Sequence, residues 1–121
     1  MAINRILVVD DSPTERFFLS ELLVKNGYLV SMAESGEEAV AQAKLMLPDL
    51  IVMDVVMPGM NGYQATRMIT KEDVTKNIPV IMCTSKGQET DRVWGMRQGA
   101  KAYMVKPIKP DELLSQIKSL G

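Results

Sequence analysis

Short apolar runs alternate with amphipathic segments along the whole chain. The apolar runs predict five strands, at residues 6–9, 28–32, 50–53, 78–83 and 102–105. Apolar residues at helical spacing follow each run and predict five helices, at about residues 12–27, 35–47, 61–71, 89–98 and from 110 onward. Regular alternation of strand and helix is typical of a parallel sheet with helices on both faces.

The first predicted helix carries signals at both of its ends. Ser12 is followed by Pro13 and then by Glu15, which is the pattern of a capping box with a proline in the first turn. Gly27 stands where the helix must end, and glycine there accepts the left-handed conformation that closes many helices. The inner face of this helix is predicted from its apolar residues Phe18, Leu22 and Leu23.

The apolar content of the strands predicts their order in the sheet. The first, third and fourth runs are almost continuously apolar, as expected of strands covered on both faces, whereas the second contains Ser31 and the fifth is short. Right-handed crossovers then favour the order 2-1-3-4-5, a flavodoxin-like, doubly wound five-stranded α/β fold with five flanking helices. We predict one such domain over residues 1–121, with its binding site at the carboxyl ends of the strands.

Acidic and polar residues follow directly on four of the predicted strands. Asp10 and Asp11 follow the first, Asp54 the third, Thr84 lies at the end of the fourth and Lys106 follows the fifth. Two unit charges about 4 Å apart repel by roughly 4 kcal/mol at an effective dielectric constant of about 20, so three carboxylates need compensation. Raised pKa values, the lysine or a divalent cation would each supply it, and an all-oxygen site suits magnesium.

Composition narrows the chemistry that this site can perform. The 121 residues are 46% hydrophobic with a net charge of −1, which fits one core and argues against a charge-driven nucleic-acid binder. The chain contains no histidine, which excludes Ser–His and Cys–His nucleophiles and histidine-ligated zinc. With one cysteine, no recognisable signal peptide and only short apolar stretches, we expect a cytoplasmic protein that does not insert into membranes.

The residues at the strand ends fit phosphoryl transfer. A carboxylate can attack phosphorus to give an acyl phosphate, while a metal ion and a lysine neutralise the charge on the phosphoryl oxygens. Asp54 is the better candidate nucleophile because it stands alone at its strand end. Asp10 and Asp11 are adjacent and are better arranged to hold an ion between them.

Together these motifs resemble the CheY-like receiver domain of bacterial response regulators over essentially the whole chain. The residues that carry the resemblance are VVDDS at 8–12, MDVVMPGMNG at 53–62, IPV at 78–80, Thr84-Ser85, Gly99-Ala100 and Lys106-Pro107. The resemblance implies a response regulator of a two-component system that catalyses only its own phosphorylation and dephosphorylation.

The same resemblance implies the ligands and the chemistry of the acidic site. Asp54 would accept the phosphoryl group from the phosphohistidine of a partner kinase. Asp10, Asp11 and Asp54 would hold Mg²⁺ together with the backbone carbonyl of Val56.

The resemblance further implies which residues respond to phosphorylation of Asp54. Thr84 would be the switch hydroxyl, Tyr103 the switch aromatic and Lys106 the lysine that contacts the phosphoryl group, with a cis peptide bond before Pro107. We expect the output to be a changed protein-binding face built from the fourth helix, the fifth strand and the fifth helix. Gly95 would keep the fourth helix adjustable, and Trp94 would be either an exposed partner anchor or a core residue.

Within the family, three segments are similar to the PilH-type regulators of twitching motility. They are DSPTE at 11–15, NGYQATR at 61–67 and QETDRVWG at 88–95. This similarity implies a CheA-like histidine kinase as phosphodonor and a protein of the motility apparatus, or another protein, as target. We expect a monomer or a weak dimer.

Three other functions stay open on the sequence. A magnesium-dependent phosphatase or phosphotransferase would use Asp10 as nucleophile, but such enzymes place a second acid two residues later, where this chain has Ser12. A nucleotide- or flavin-binding module would need a glycine- or hydroxyl-rich turn after the first strand in place of two acids. A receiver that binds partners without phosphorylation, or that only drains phosphate from a shared kinase, would have the same sequence features.

Overall fold

The computed structural model describes residues 2–121 and contains five strands and five helices in strict alternation. The strands are β1 (Arg5–Val9), β2 (Leu29–Ala33), β3 (Leu50–Met53), β4 (Val80–Thr84) and β5 (Ala102–Val105). The helices are α1 (Pro13–Lys25), α2 (Gly36–Met46), α3 (Gly62–Lys71), α4 (Glu89–Arg97) and α5 (Pro110–Leu120). All strands are parallel and lie in the order β2-β1-β3-β4-β5, which confirms the predicted fold class.

Each face of the sheet carries its own hydrophobic core. Successive strand residues point to opposite faces, so Ile6 and Val8 of β1 pack with α1 and α5, whereas Leu7 and Val9 pack with α2 and α3. Every residue of β3 and β4 is buried, as expected of central strands covered on both sides. The edge strands β2 and β5 each keep exposed residues.

Two details differ from the predicted elements. Phe18 is 43% exposed, and the core-facing positions of α1 are Leu19 and Leu23, which lie four residues apart and therefore share one side of the helix. Strand β4 begins at Val80 and not at residue 78, because Pro79 has no N–H to donate to the sheet. The carbonyl of Pro79 still accepts a hydrogen bond from the backbone N–H of Ile51 at 3.0 Å.

The predicted end of α1 and start of α3 are present in the structure. Gly27, after α1, has φ +92°, the left-handed conformation that glycine accepts without strain. At the start of α3, Asn61 and Gln64 each accept a backbone N–H of the other through their side chains, which forms a complete capping box. None of the helices in residues 2–121 has the length and apolarity needed to cross a bilayer.

A third and smaller cluster lies beneath α4 and joins Val55, Tyr63 and Met82, with Tyr103 packed against it. Gly95 lies on the buried side of α4, where an added Cβ would come within 2.8 Å of the Tyr103 ring. From the sequence, Gly95 is expected to keep this helix adjustable. In the structure, its lack of a side chain allows α4 to pack closely on β5.

Candidate functional site

Three carboxylates meet at the carboxyl edge of the sheet. Asp10 and Asp54 each follow directly on a strand, and their preceding residues Val9 and Met53 are paired in the β1–β3 register, so the two acids lie side by side. Asp10 and Asp54 are buried, whereas the neighbouring Asp11 is exposed. One carboxylate oxygen from each of the three acids lies within 4.8 Å of the others, as the sequence predicts.

Lys106 is brought into this cluster by the end of β5. Its Nζ donates to Asp10 Oδ2 at 2.8 Å and lies 3.6 Å from Asp54 Oδ1 and 3.9 Å from Glu15 Oε2. The Lys106–Pro107 peptide bond is cis, as expected from the resemblance. A single ammonium group therefore faces three carboxylates, and Asp11 adds a fourth to the cluster, so the site keeps an excess of negative charge.

The pKa values of Asp54 and Lys106 are both raised in the folded chain. Burial, followed by repulsion from Asp10, raises the pKa of Asp54 to about 6, although Lys106 opposes this rise. Burial also acts to lower the pKa of Lys106, but its hydrogen bond to Asp10 and the charge of Asp54 outweigh burial, so the pKa of Lys106 is raised. The lysine is therefore held as a cation, while the charged form of Asp54 is disfavoured by its burial and by Asp10.

The two residues expected to respond to phosphorylation, Thr84 and Tyr103, lie on β4 and β5. Thr84 is fully buried at the end of β4, and its Oγ1 accepts the backbone N–H of Lys86 at 3.2 Å. Tyr103 is partly exposed on β5, and its hydroxyl donates to the carbonyl of Lys86 at 2.7 Å. Lys86 therefore links the two residues that the resemblance names as the switch. Trp94 is 51% exposed on α4, which excludes the core alternative, while its role as a partner anchor stays a prediction.

Val56 lies two residues after Asp54 in the loop between β3 and α3, with its side chain exposed. This position is on the same edge of the sheet as the acidic cluster. Ligation of a metal ion by the Val56 carbonyl stays a prediction.

Two residues near the site are not identified by sequence reasoning. Arg16 donates to the backbone carbonyl of Asp10 at 2.7 Å and pairs with Glu34 at 3.0 Å, which fixes the loop after β1. Glu15 forms only half of the predicted capping box, because the N–H of Ser12 donates to Asp10 instead. The Glu15 carboxylate is then free to approach Lys106, and no local spacing rule gives that long-range contact.

The raised pKa of Asp54 predicts how the stability of the metal-free protein depends on pH. Its carboxyl has a pKa of about 6 in the folded chain against an ordinary value of 3.8, so the stability it contributes is present below about pH 4 and is lost as the pH rises through about 6. We expect Asp54→Asn to be more stable than wild type by about 1–3 kcal/mol at pH 7.5 in EDTA, and by almost nothing at pH 4. Urea unfolding of both proteins at the two pH values measures this difference. An Asn variant that is less stable at pH 7.5 would contradict it.

Comparison with known proteins identifies a matching family and a similar protein of nearly the same length. The response regulator receiver domain family matches residues 6–118. Protein PilH of Pseudomonas aeruginosa is 53% identical over 116 residues, which cover 96% of this chain and 96% of PilH.

Solved structures agree with this chain in fold. A crystal structure of a response regulator from Chloroflexus aurantiacus superposes with a TM-score of 0.93 at 36% identity, covering 98% of this chain and 97% of the other. The receiver domain of a sensor histidine kinase from Pseudomonas aeruginosa PAO1 superposes with a TM-score of 0.90 at 31% identity, covering 98% of each chain. That domain was solved with a magnesium ion coordinated in its active site cleft. The present chain belongs to the response regulator receiver domain family and is a homologue of PilH.

Proposed function

We propose that this protein accepts a phosphoryl group on Asp54 from the phosphohistidine of a partner histidine kinase and signals by binding other proteins. The observation that carries the proposal is the convergence of three carboxylates and one lysine at a single edge of the sheet. Family membership supports the same function. A single receiver domain over residues 1–121 and a monomer or weak dimer belong to this proposal.

Asp54 is the residue of this cluster best placed to act as nucleophile. The short hydrogen bond of Lys106 goes to Asp10, while Asp54 lies 0.8 Å further away, at 3.6 Å against 2.8 Å. An oxygen of Asp54 attacks the phosphorus, the P–N bond to the kinase histidine breaks, and its electron pair stays on the imidazole nitrogen, which takes up a proton. The product is an acyl phosphate on Asp54. Attack of water on that phosphorus restores the carboxylate and releases inorganic phosphate.

The acidic cluster fits Mg²⁺. Its donors are hard carboxylate oxygens close enough for one ion, and they carry more negative charge than Lys106 neutralises. Asp10, Asp11 and Asp54 would hold the ion, with the Val56 carbonyl as the further ligand that the sequence predicts. When bound, the ion neutralises charge on the phosphoryl oxygens.

The lysine and the threonine act on the phosphoryl group from the other strands. Lys106 is a fixed cation that pairs with a phosphoryl oxygen once the group is on Asp54. Thr84 can donate its hydroxyl proton to another phosphoryl oxygen. That movement would draw Thr84 towards Asp54 and would shift the turn around Lys86, on which Tyr103 depends. The face of α4, β5 and α5 would then change its shape, and Trp94 is an exposed residue of α4.

The biological setting is proposed from the relationship to PilH. The resemblance to twitching-motility regulators favours a CheA-like kinase as phosphodonor and a target in the motility apparatus. A cytoplasmic location remains the prediction made from the sequence.

The phosphatase alternative is disfavoured by the geometry. Asp10 would have to be its nucleophile, but the Lys106 ammonium group lies 2.8 Å from Asp10 Oδ2, and the N–H of Ser12 occupies Asp10 Oδ1 at 2.9 Å. Both carboxylate oxygens are therefore engaged.

The proposal is tested by intact-protein mass spectrometry after incubation with acetyl phosphate and Mg²⁺. We expect a gain of one phosphoryl group, lost again on standing as the acyl phosphate hydrolyses. No gain with acetyl phosphate, and none with any histidine kinase of the source organism, would refute the proposal in favour of a receiver that binds partners without phosphorylation.

Magnesium binding is tested separately. We expect Mg²⁺ at millimolar concentration to raise the melting temperature and EDTA to reverse this, because the ion relieves repulsion among the acids. Asp11→Asn removes one proposed ligand at an exposed position and is expected to weaken binding about tenfold in a calorimetric titration. Asp73→Asn, at an exposed acid outside the cluster, is the control. Equal affinities in the two variants would contradict the ligand assignment.

A further inference from the structure

Residues 34–37 lie outside the acidic cluster and contact both loops that carry the proposed metal ligands. They follow β2 and include the first two residues of α2. One of the loops follows β1 and carries Asp10 and Asp11. The other follows β3 and carries Asp54 and Val56. Because the contacts go to backbone groups of each loop, they fix where each loop lies relative to the sheet.

The loop after β1 is held through Arg16. The Arg16 side chain is 12% exposed, and its guanidinium group donates to the Asp10 carbonyl at 2.7 Å and to the Glu34 carboxylate at 3.0 Å. The N–H of Asp10 donates to the carbonyl of Ala33, the last residue of β2, at 3.2 Å. The N–H and the carbonyl of Asp10 are therefore both fixed, directly or through Arg16, to the end of β2 and the residue that follows it.

The loop after β3 is held through Glu37, in the first turn of α2. One carboxylate oxygen of Glu37 accepts the backbone N–H of Met60 at 3.3 Å. The same oxygen would lie 2.9 Å from a Cβ added to Gly59, which has φ +73°. Gly36 is buried against the Met60 carbonyl, and a Cβ added there would lie 2.5 Å from the carbonyl oxygen. The start of α2 therefore packs closely on the Gly59–Met60 part of the loop.

The loop after β3 has few other anchors near Val56. Within the described residues 2–121, residues 56–59 form no backbone–backbone hydrogen bond, and the Val56 side chain is exposed. Met57 is buried and packs in the core beneath α2, which holds the loop by its side chain. A metal ion ligated by the Val56 carbonyl needs this loop in one position. The hydrogen bond from Glu37 and the packing of Met57 both favour that position from the side of α2.

We propose that Glu37 is a positioning residue of the metal site: its hydrogen bond to Met60 holds the loop after β3 in the position from which the Val56 carbonyl can ligate the ion. The apparent dissociation constant of a ligand varies inversely with the fraction of molecules in the binding-competent arrangement, so a loop that is held less firmly binds Mg²⁺ more weakly. This inference rests on the proposed function, because it takes Asp54 and Val56 as ligands of the ion.

Two substitutions at Glu37 separate its hydrogen bond from its negative charge. Glu37→Gln removes the charge and keeps an oxygen that can accept the N–H of Met60, whereas Glu37→Ala removes both. In a calorimetric titration we expect Glu37→Ala to bind Mg²⁺ about fivefold more weakly than wild type, as for the loss of one net hydrogen bond. Glu37→Gln should stay within about twofold of wild type. Glu21→Ala, at an exposed position of α1, is the control and should bind as wild type.

Amide exchange of Met60 tests the contact in the metal-free protein. We expect its N–H to exchange about fivefold faster in Glu37→Ala than in wild type, and Glu37→Gln to restore most of the protection. A merely structural role would lower the stability of Glu37→Ala in urea and leave its Mg²⁺ affinity unchanged. Unchanged affinity in Glu37→Ala, equal losses in the Ala and Gln variants, or equal Met60 exchange in all three proteins would each overturn this inference alone. A wild type that binds no Mg²⁺ would overturn the magnesium site of the proposed function and this inference with it.

Discussion

The Asp54→Asn variant is expected to gain no phosphoryl group from acetyl phosphate and Mg²⁺ under conditions in which the wild type gains one. An amide oxygen carries no full negative charge and cannot form the acyl phosphate, so the loss should be complete and not a reduced rate. Intact mass spectrometry measures the outcome directly. The variant is also expected to be more stable without metal, so unfolding cannot account for the loss.

Two controls make this result specific to one carboxylate. Asp10→Asn keeps Asp54 but removes the acid that holds Lys106 at 2.8 Å, and it should slow phosphorylation without moving its site. Asp73→Asn changes an exposed acid far from the cluster and should behave as wild type. Phosphorylation that persists in Asp54→Asn and disappears in Asp10→Asn would exclude Asp54 as acceptor and support the phosphatase-like alternative.

The Gly62→Ala variant is expected to have the largest effect on stability. A Cβ at this buried position would lie well inside contact distance of the Asp54 carbonyl oxygen and 2.8 Å from the Cα of Val55. These are backbone atoms next to the phosphoacceptor, so α3 and the end of β3 would have to separate. We expect a loss of about 3 kcal/mol and a melting temperature lower by about 10 °C, with slower phosphorylation of Asp54.

Gly87→Ala is the matched control for this prediction. A Cβ there would meet only the side chain of Val105, at 3.1 Å, and that side chain is 47% exposed and free to adjust. We expect its melting temperature to stay within about 3 °C of wild type, as is usual for surface substitutions. Melting curves followed by circular dichroism compare the two variants. Equal, small effects would show that the close approach at Gly62 does not constrain the site.

Sequence reasoning works best where one residue type has one physical role. Gly27 and Asn61 take the conformations and bonds that their types predict, because helix ends are decided by the few residues around them. It works less well for side-chain direction, as Phe18 shows, since an apolar residue on the flank of the helical stripe is placed by neighbouring elements. Gly95 illustrates the same limit, because a glycine is expected both where a helix must be flexible and where two elements pack closely.

The sequence by itself determined the order of elements, the strand order and the set of residues at the carboxyl edge of the sheet, because hydrophobic periodicity and right-handed crossovers are local or general rules. Only the tertiary structure decided which acid Lys106 binds, where Glu15 points, and that Tyr103 donates to the carbonyl of Lys86. These contacts join residues up to 96 positions apart, and their distances depend on how whole helices pack on the sheet, which no local pattern encodes.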